Sequence, residues 1–242
     1  MTNDNDTFKF DSASHPQNAI SLVYDLEGFS NFFNQPDVQE YIPAFLNVIS
    51  DAISTCLFGG TAYWQDNAKY PPLSSTPIHE KFMGDGGLYI FTPDGLSDFR
   101  EGFPVALCNR LYILRRNFSH VVQRCTEMVP VFAIPRNIRF GLARGSVYEL
   151  ASKHGDDSEF IGFCINLSSR LQSYCPDLGF IVSARLKIPA DKLADSGYKK
   201  VIATRIKGFP KELVFVDTDE YTRLSEEVRS SLFEEFDEYT GA

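Results

Sequence analysis

Several things are missing from this sequence, and each absence narrows what the chain can be. No stretch approaches the roughly 18 to 20 uninterrupted apolar residues that a membrane span needs. The opening residues, MTNDNDTFKFDSASHPQN, are polar and acidic, without the charged start or apolar stretch of a secretory signal. The five cysteines (Cys56, Cys108, Cys125, Cys164, Cys175) include no CxxC pair and no metal-ligand spacing. They are therefore expected to be reduced core thiols of a soluble, cytoplasmic protein. Positive charge is also short: 23 Lys and Arg against 32 Asp and Glu leave a net charge of -9. That balance argues against a nucleic-acid or anionic-membrane partner, which rewards a basic surface, so an anionic ligand would need local cations. There is no internal repeat or low-complexity tract.

What is present is an alternation of strand-like and helix-like segments. AISLVYD (19–25) is a short apolar, β-branched run ending at Asp25. LEGFSNFF turns at Gly28 into a helical pattern that Pro36 interrupts. Tyr41, Phe45, Ile49, Ile53 and Cys56 then follow helical spacing up to Gly59 and Gly60. TAYW begins a strand, and the polar, Pro- and Ser-rich 65–77 reads as a loop. IHEKFM and LYIFT flank the turn at Gly84–Gly87, which places Asp85 at a hairpin tip. Ser97 should cap one long helix carrying Phe103, Leu107, Leu111, Leu114, Phe118, Val121 and Cys125.

IRFGLARGSVYEL reads as a strand and GFCINLSSRLQSYC as a helix. LGFIVSARL, KKVIATRI and ELVFVD read as strands, and DEYTRLSEEVRSSLFEEF as one acidic helix. The order predicts an α+β fold, a mixed and mostly antiparallel sheet with helices on one side. The expected organisation is a flexible lead over 1–18, a catalytic domain over 19–218, and an acidic C-terminal helix and tail over 219–242.

Two aspartates at strand and hairpin ends, Asp25 and Asp85, are of the type that clamps divalent ions against a triphosphate. Mg²⁺ prefers few carboxylates plus substrate oxygens. Asp is also a common turn residue, so the pair alone does not separate the two roles. A Gly-containing turn follows Asp25 and leads into a helix, so the backbone N–H groups of Gly28, Phe29 and Ser30 could take phosphate oxygens.

Four blocks in order resemble the class III adenylate and guanylate cyclases. DLEGFS is similar to that family's D-I-x-G-F-T, and EKFMGDGGLYIF to its K-x-x-G-D hairpin. IRFGLARGSVYE is similar to its R-x-G-I-H-T-G-x-V strand, and IGFCINLSSRLQ to its W-G-x-x-V-N-x-A-S-R helix. The resemblance implies a ferredoxin-like cyclase fold and an intramolecular attack of a ribose 3′-OH on the α-phosphate. It implies two cations, Mn²⁺ or Mg²⁺, on Asp25, Asp85 and the Leu26 carbonyl. Asn166 would orient the ribose and Arg170 would offset charge on the α-phosphate. In the family these halves come from two subunits, which implies a homodimer with composite sites. A diguanylate cyclase would carry a GG-D/E-E-F hairpin, whereas this one reads GDGG. A nucleotide-binding regulator without activity is the other alternative.

The family reads the base with a Lys and an acid, here Lys81 and Glu159. That pair looks adenylate-like, yet Glu is one methylene longer than the usual Asp and shrinks the pocket. The 65–77 insertion, read as lying on the base side, and the bulk of Tyr148 point the same way. Together they resemble the bacterial pyrimidine cyclases of Pycsar antiphage defence, which make cyclic UMP or cyclic CMP for a separate effector. UTP is the favoured substrate, with CTP and ATP left open. The family's phosphate arginine aligns with Ser146, so Arg144, two residues away, and Lys211, which with Lys207 flanks Gly208, are the phosphate-side expectations.

Overall fold

The run around AISLVYD is the centre of the structure. A computed structural model describes residues 10–93, 98–100, 102–152, 158–189, 192 and 197–236. In chain order the elements are β1 (Phe10–Ala13), β2 (Gln17–Glu27), α1 (Phe29–Phe33), α2 (Ile42–Phe58), β3 (Gly60–Ala62), β4 (Ala68–Tyr70), β5 (His79–Phe82) and β6 (Gly86–Phe91). They continue with α3 (Phe103–Arg116), α4 (Phe118–Met128), β7 (Asn137–Ser152), β8 (Glu159–Gly162), α5 (Phe163–Gln172) and β9 (Phe180–Ser183). β10 (Tyr198–Thr204), β11 (Lys211–Asp217), α6 (Thr218–Arg223), α7 (Glu226–Leu232) and β12 (Phe233–Glu235) complete the order. The main sheet runs β12-β10-β11-β9-β7-β2-β6-β5, with β1 and β8 also paired to β7. Among the described residues only the β7 and β9 pairing is parallel, so the sheet is mixed and mostly antiparallel.

β2 lies between β6 and β7, and the period-2 alternation of a strand decides what each of its faces meets. Ile20, Leu22, Tyr24 and Leu26 join Ile138, Phe140 and Leu142 in a core shared with α2, α3 and α4. Ala19 and Val23 join Ala143 and Val147 in a second core with α5. The helices are therefore not confined to one side, as the sequence reading had it. α5 takes the opposite face, where small residues leave room for it. Ser21 and Ser168 hydrogen-bond through their hydroxyls at 2.8 Å within this buried contact. A Cβ on Gly141 would stand 2.1 Å from the Ser168 carbonyl oxygen, so helix and strand approach to a distance that only glycine permits.

Several boundaries differ from the sequence reading. The long helix is two, broken at Asn117, whose side-chain amide donates to the Ile113 carbonyl at 3.1 Å and caps the first piece. Ser97, its expected cap, lies outside the described residues. The loop at 65–77 contains β4, which pairs with β3 in a separate two-stranded sheet. The C-terminal helix is α6 and α7, because Ser225 accepts from the Val228 N–H and starts a new helix. β12 then returns to pair with β10. The lead is not all outside the fold either, since β1 pairs with β7 from Phe10. The sheet thus extends past both expected boundaries, 18 and 219.

All five cysteines are buried free thiols. Among the described residues no helix is long and apolar enough to cross a membrane. Gly141→Ala should destabilise the protein by about 1–3 kcal/mol, since the added methyl meets helix backbone that cannot move aside. Urea unfolding of the variant against the parent measures this, and an unchanged midpoint would contradict the close packing of α5 on β7.

Candidate active site

Alternation along β2 puts Asp25 on the same side as Val23, at the last turns of the strand, opposite Arg139 of β7 and Gly86 of β6. The β5–β6 hairpin closes through the Met83 N–H to the Gly86 carbonyl at 3.0 Å, and the Leu26 N–H donates to the Asp85 carbonyl at 2.9 Å. That second bond pins the hairpin tip to β2 and brings Asp85 beside Asp25. Gly86 is required there, since a Cβ on it would lie 2.0 Å from the Tyr24 carbonyl oxygen. Burial pushes the Asp85 carboxyl above the ordinary carboxylate value, and the neighbouring Asp25 charge pushes it further up. Two carboxylates that repel each other in this way are suited to share a cation.

Arg139 partly relieves this. Its Nη2 donates to Asp25 Oδ2 at 2.6 Å, with both side chains about four-fifths buried. The sequence reading did not single Arg139 out. Only the β2–β7 register reveals it, by setting the first Arg of the IRFGLARG block directly across from Asp25.

Among the described residues no group of three or more Asp, Glu, His or Cys side chains could hold a metal ion. Two carboxylates and the Leu26 backbone nevertheless fit hard cations such as Mg²⁺ or Mn²⁺ that take their remaining ligands from water and substrate oxygens. Gly28 opens α1. Its carbonyl accepts from the Asn31 and Phe32 N–H groups, and no described hydrogen bond engages the N–H groups of Phe29 and Ser30.

Lys81 and Glu159 meet directly, Nζ to the two carboxylate oxygens at 2.7 and 2.8 Å, each side chain about half exposed. With His79, Glu149, Ser158 and Phe160 they border a hollow of about 490 Å³. A second hollow of about 460 Å³ lies between the hairpin and α2, lined by Tyr24, Leu46, Asn47, Lys81 and Asp85 among others. On α5, Cys164, Leu167, Ser168 and Leu171 are buried while Asn166 and Arg170 are exposed. Neither exposed side chain has a hydrogen-bond or ion-pair partner among the described residues, and neither meets Asp25 or Asp85. The two aspartates and the Asn166–Arg170 face thus lie apart within the chain.

Three expectations are displaced. Arg144 pairs across from Ile20, five positions along β2 from Asp25 and on the α3 side of the sheet. There it is nearly buried, held by Asn18 at 3.1 Å and by Asp98, with its guanidinium over the Phe99 ring. It does not adjoin the aspartates. Lys211 is exposed and tied to Glu234 of β12 at 2.6 Å. The 65–77 insertion is anchored on the helical side, through the Leu73 N–H to the Leu57 carbonyl at 3.4 Å and Arg110 over the Tyr70 ring. Its position lends nothing to the idea of a narrowed base pocket.

No known protein-family profile matches the chain, and no curated protein is recognisably similar in sequence. Solved structures are similar in fold. The chain resembles the guanylyl cyclase Cya2 at 18% identity, covering 85% of this chain and 93% of that one with a TM-score of 0.57. It resembles the adenylyl cyclase CyaB from P. aeruginosa at 18% identity, covering 86% and 96% with a TM-score of 0.60. It also resembles a bacterial light-regulated adenylyl cyclase at 16% identity and a TM-score of 0.54, where it spans 53% of the longer chain. The fold is that of nucleotidyl cyclase catalytic domains.

Because Asp25 helps to hold the Asp85 carboxyl up, Asp25→Asn should lower the pKa of Asp85. In the metal-free parent, Asp85 should stay partly protonated at a pH where an ordinary Asp is ionised. Carboxyl NMR titration checks both, and an Asp85 pKa unmoved by the substitution would separate the two carboxylates.

Proposed function

We propose that the protein is a nucleotidyl cyclase that converts a nucleoside triphosphate, UTP in first place, to the 3′,5′-cyclic monophosphate and pyrophosphate. The observation that carries the reading is the pairing of Asp25 and Asp85 at the β2 and hairpin ends of a cyclase fold. In the reaction the ribose O3′ bonds to the α-phosphorus, the bond from that phosphorus to the β-bridging oxygen breaks, and the hydroxyl proton passes to solvent. Two divalent cations bound by the aspartates and the Leu26 carbonyl would supply acidification of the 3′-OH and neutralisation of phosphate charge. The Phe29 and Ser30 N–H groups would receive phosphate oxygens.

The exposed, unpartnered Asn166 and Arg170 would orient the ribose and offset charge on the α-phosphate in the transition state. Lys81 donates and Glu159 accepts, so a base edge with one acceptor beside one donor can replace their mutual pairing. Uracil offers O4 beside N3–H. Cytosine and adenine offer such edges too, and the preference for UTP rests on resemblance to the pyrimidine cyclases of antiphage defence, in which the product activates a separate effector. Arg144 and Lys211 are not assigned to the triphosphate.

On this reading the working unit is a homodimer in which Asp25 and Asp85 of one copy face Asn166 and Arg170 of the other, a reading supported by the separation of the two pairs within one chain. Exposed Phe82 and Met83 at the hairpin tip and Ile161 on β8 are apolar surface suited to that contact.

Incubation with Mn²⁺ and each of ATP, GTP, UTP and CTP, followed by chromatography, should give cyclic UMP as the main product. Dominant cyclic AMP would overturn the pyrimidine choice, and no product from any triphosphate would overturn the enzyme. Asp25→Ala and Arg170→Ala should each be inactive alone, yet mixing and re-equilibrating them should restore up to about a quarter of parental activity, because mixed dimers hold one intact composite site. No recovery in dimers shown to have exchanged would place all four residues in one chain's site.

A further inference from the structure

Asp25 does not stand opposite an inert neighbour. Arg139 meets it from the adjacent strand at 2.6 Å, largely out of solvent, through a single donor and a single carboxylate oxygen. A bidentate pairing would consume both oxygens; this one leaves the other free to face Asp85. The Arg139 Nε–H is enclosed without an acceptor, so the guanidinium forgoes part of its own hydrogen bonding in this position. Two places along the ladder, the Asn137 amide donates to Glu27 Oε2 at 3.0 Å and ties that third carboxylate to β7. The Asp25 member of the proposed cation site is thus held directly against a guanidinium.

We infer that Arg139 is a positioning residue that orients the Asp25 carboxylate and sets a threshold for divalent cations, so that ions load with the nucleotide rather than before it. The inference rests on the two-cation reading of the aspartate pair. An ion arriving alone meets two aspartates whose attraction is partly offset by a guanidinium on the far side of its own ligand, with little water between to screen it. A triphosphate brings further negative charge and shifts the balance toward the ions. A guanidinium fully screened from the ions would leave their affinity unchanged when replaced by a neutral side chain of similar length.

The test is Mn²⁺ binding measured by electron paramagnetic resonance, without turnover. It compares the parent, Arg139→Gln, Arg139→Lys and Asp25→Ala, each with and without a non-hydrolysable nucleoside triphosphate, after circular dichroism confirms folding. R139Q should bind Mn²⁺ at least about fivefold more tightly than the parent when no nucleotide is present. The gain in affinity on adding nucleotide should be smaller in R139Q than in the parent. R139K, which keeps a cation, should stay within about twofold of the parent. If R139Q does not fold, Arg139→Met, which keeps the apolar stem, carries the same expectation. Unchanged or weaker nucleotide-free binding in the neutral variant overturns the role of Arg139 alone. Binding that is the same in the parent and in Asp25→Ala overturns the aspartate site itself, and this inference with it.

Discussion

Eleven consecutive residue pairs join β2 to β7, from Gln17 opposite Val147 to Glu27 opposite Asn137. Everything else in the molecule is placed relative to that register. It sends Ile20, Leu22, Tyr24 and Leu26 into the core beneath α2, α3 and α4, and Ala19, Ser21 and Val23 toward α5. It also sets Asp25 across from Arg139. A slip of one residue would turn every side chain of β2 to the other face and carry Asp25 into the helical core, where an unpaired carboxylate is strongly disfavoured. The burial of the apolar residues therefore holds the acid in place, and the Asp25–Arg139 pair makes the correct register better than its neighbours.

The same rule explains what could be read from the sequence. Short apolar runs bounded by Gly and Asp marked β2, β6 and β7, and the GDGG turn marked the hairpin that carries Asp85. The apolar spacing of Cys164, Leu167 and Leu171 marked α5, with Asn166 and Arg170 left on its outer face. These are local signals, set by periodicity and turn chemistry within one segment. Arg139 is not local, because its importance comes from the residue opposite it on a strand far away in sequence. Arg144 illustrates a signal that was available and unused: it differs from Arg139 by an odd number of positions, so strand alternation alone puts the two on opposite faces. The break at Asn117 left no trace in the apolar spacing, since the residues on either side of it continue to face the same core. Only the side-chain cap onto Ile113 marks it. β12 is three residues long and lies inside an acidic segment, with too little pattern to stand out.

Cations in this acidic chain are largely answered from within. Arg116 is held by Asp217 and Asp219, Arg185 by Glu212, Lys211 by Glu234 and Lys81 by Glu159. Arg170 is exposed with no such partner among the described residues, as are Arg136, Arg205 and Lys207. The Lys81–Glu159 pair is a different case. Its two groups satisfy each other, so any ligand taking the same donor and acceptor would have to compete with the pair itself.

The central place of β2 has a kinetic side. Its partners in β7 follow it by more than a hundred residues in the sequence, so the strand at the middle of the sheet is made long before the strand that completes it. Chains dominated by such distant pairings fold slowly, because a long loop must close before any contact rewards the closure. Until β7 arrives, the apolar run from Ala19 to Tyr24 has an open hydrogen-bonding edge and a face with nothing to cover it, which is the state in which strands pair with the wrong neighbour. The register that later fixes the acid pair is thus also the step that ends the chain's greatest exposure to aggregation.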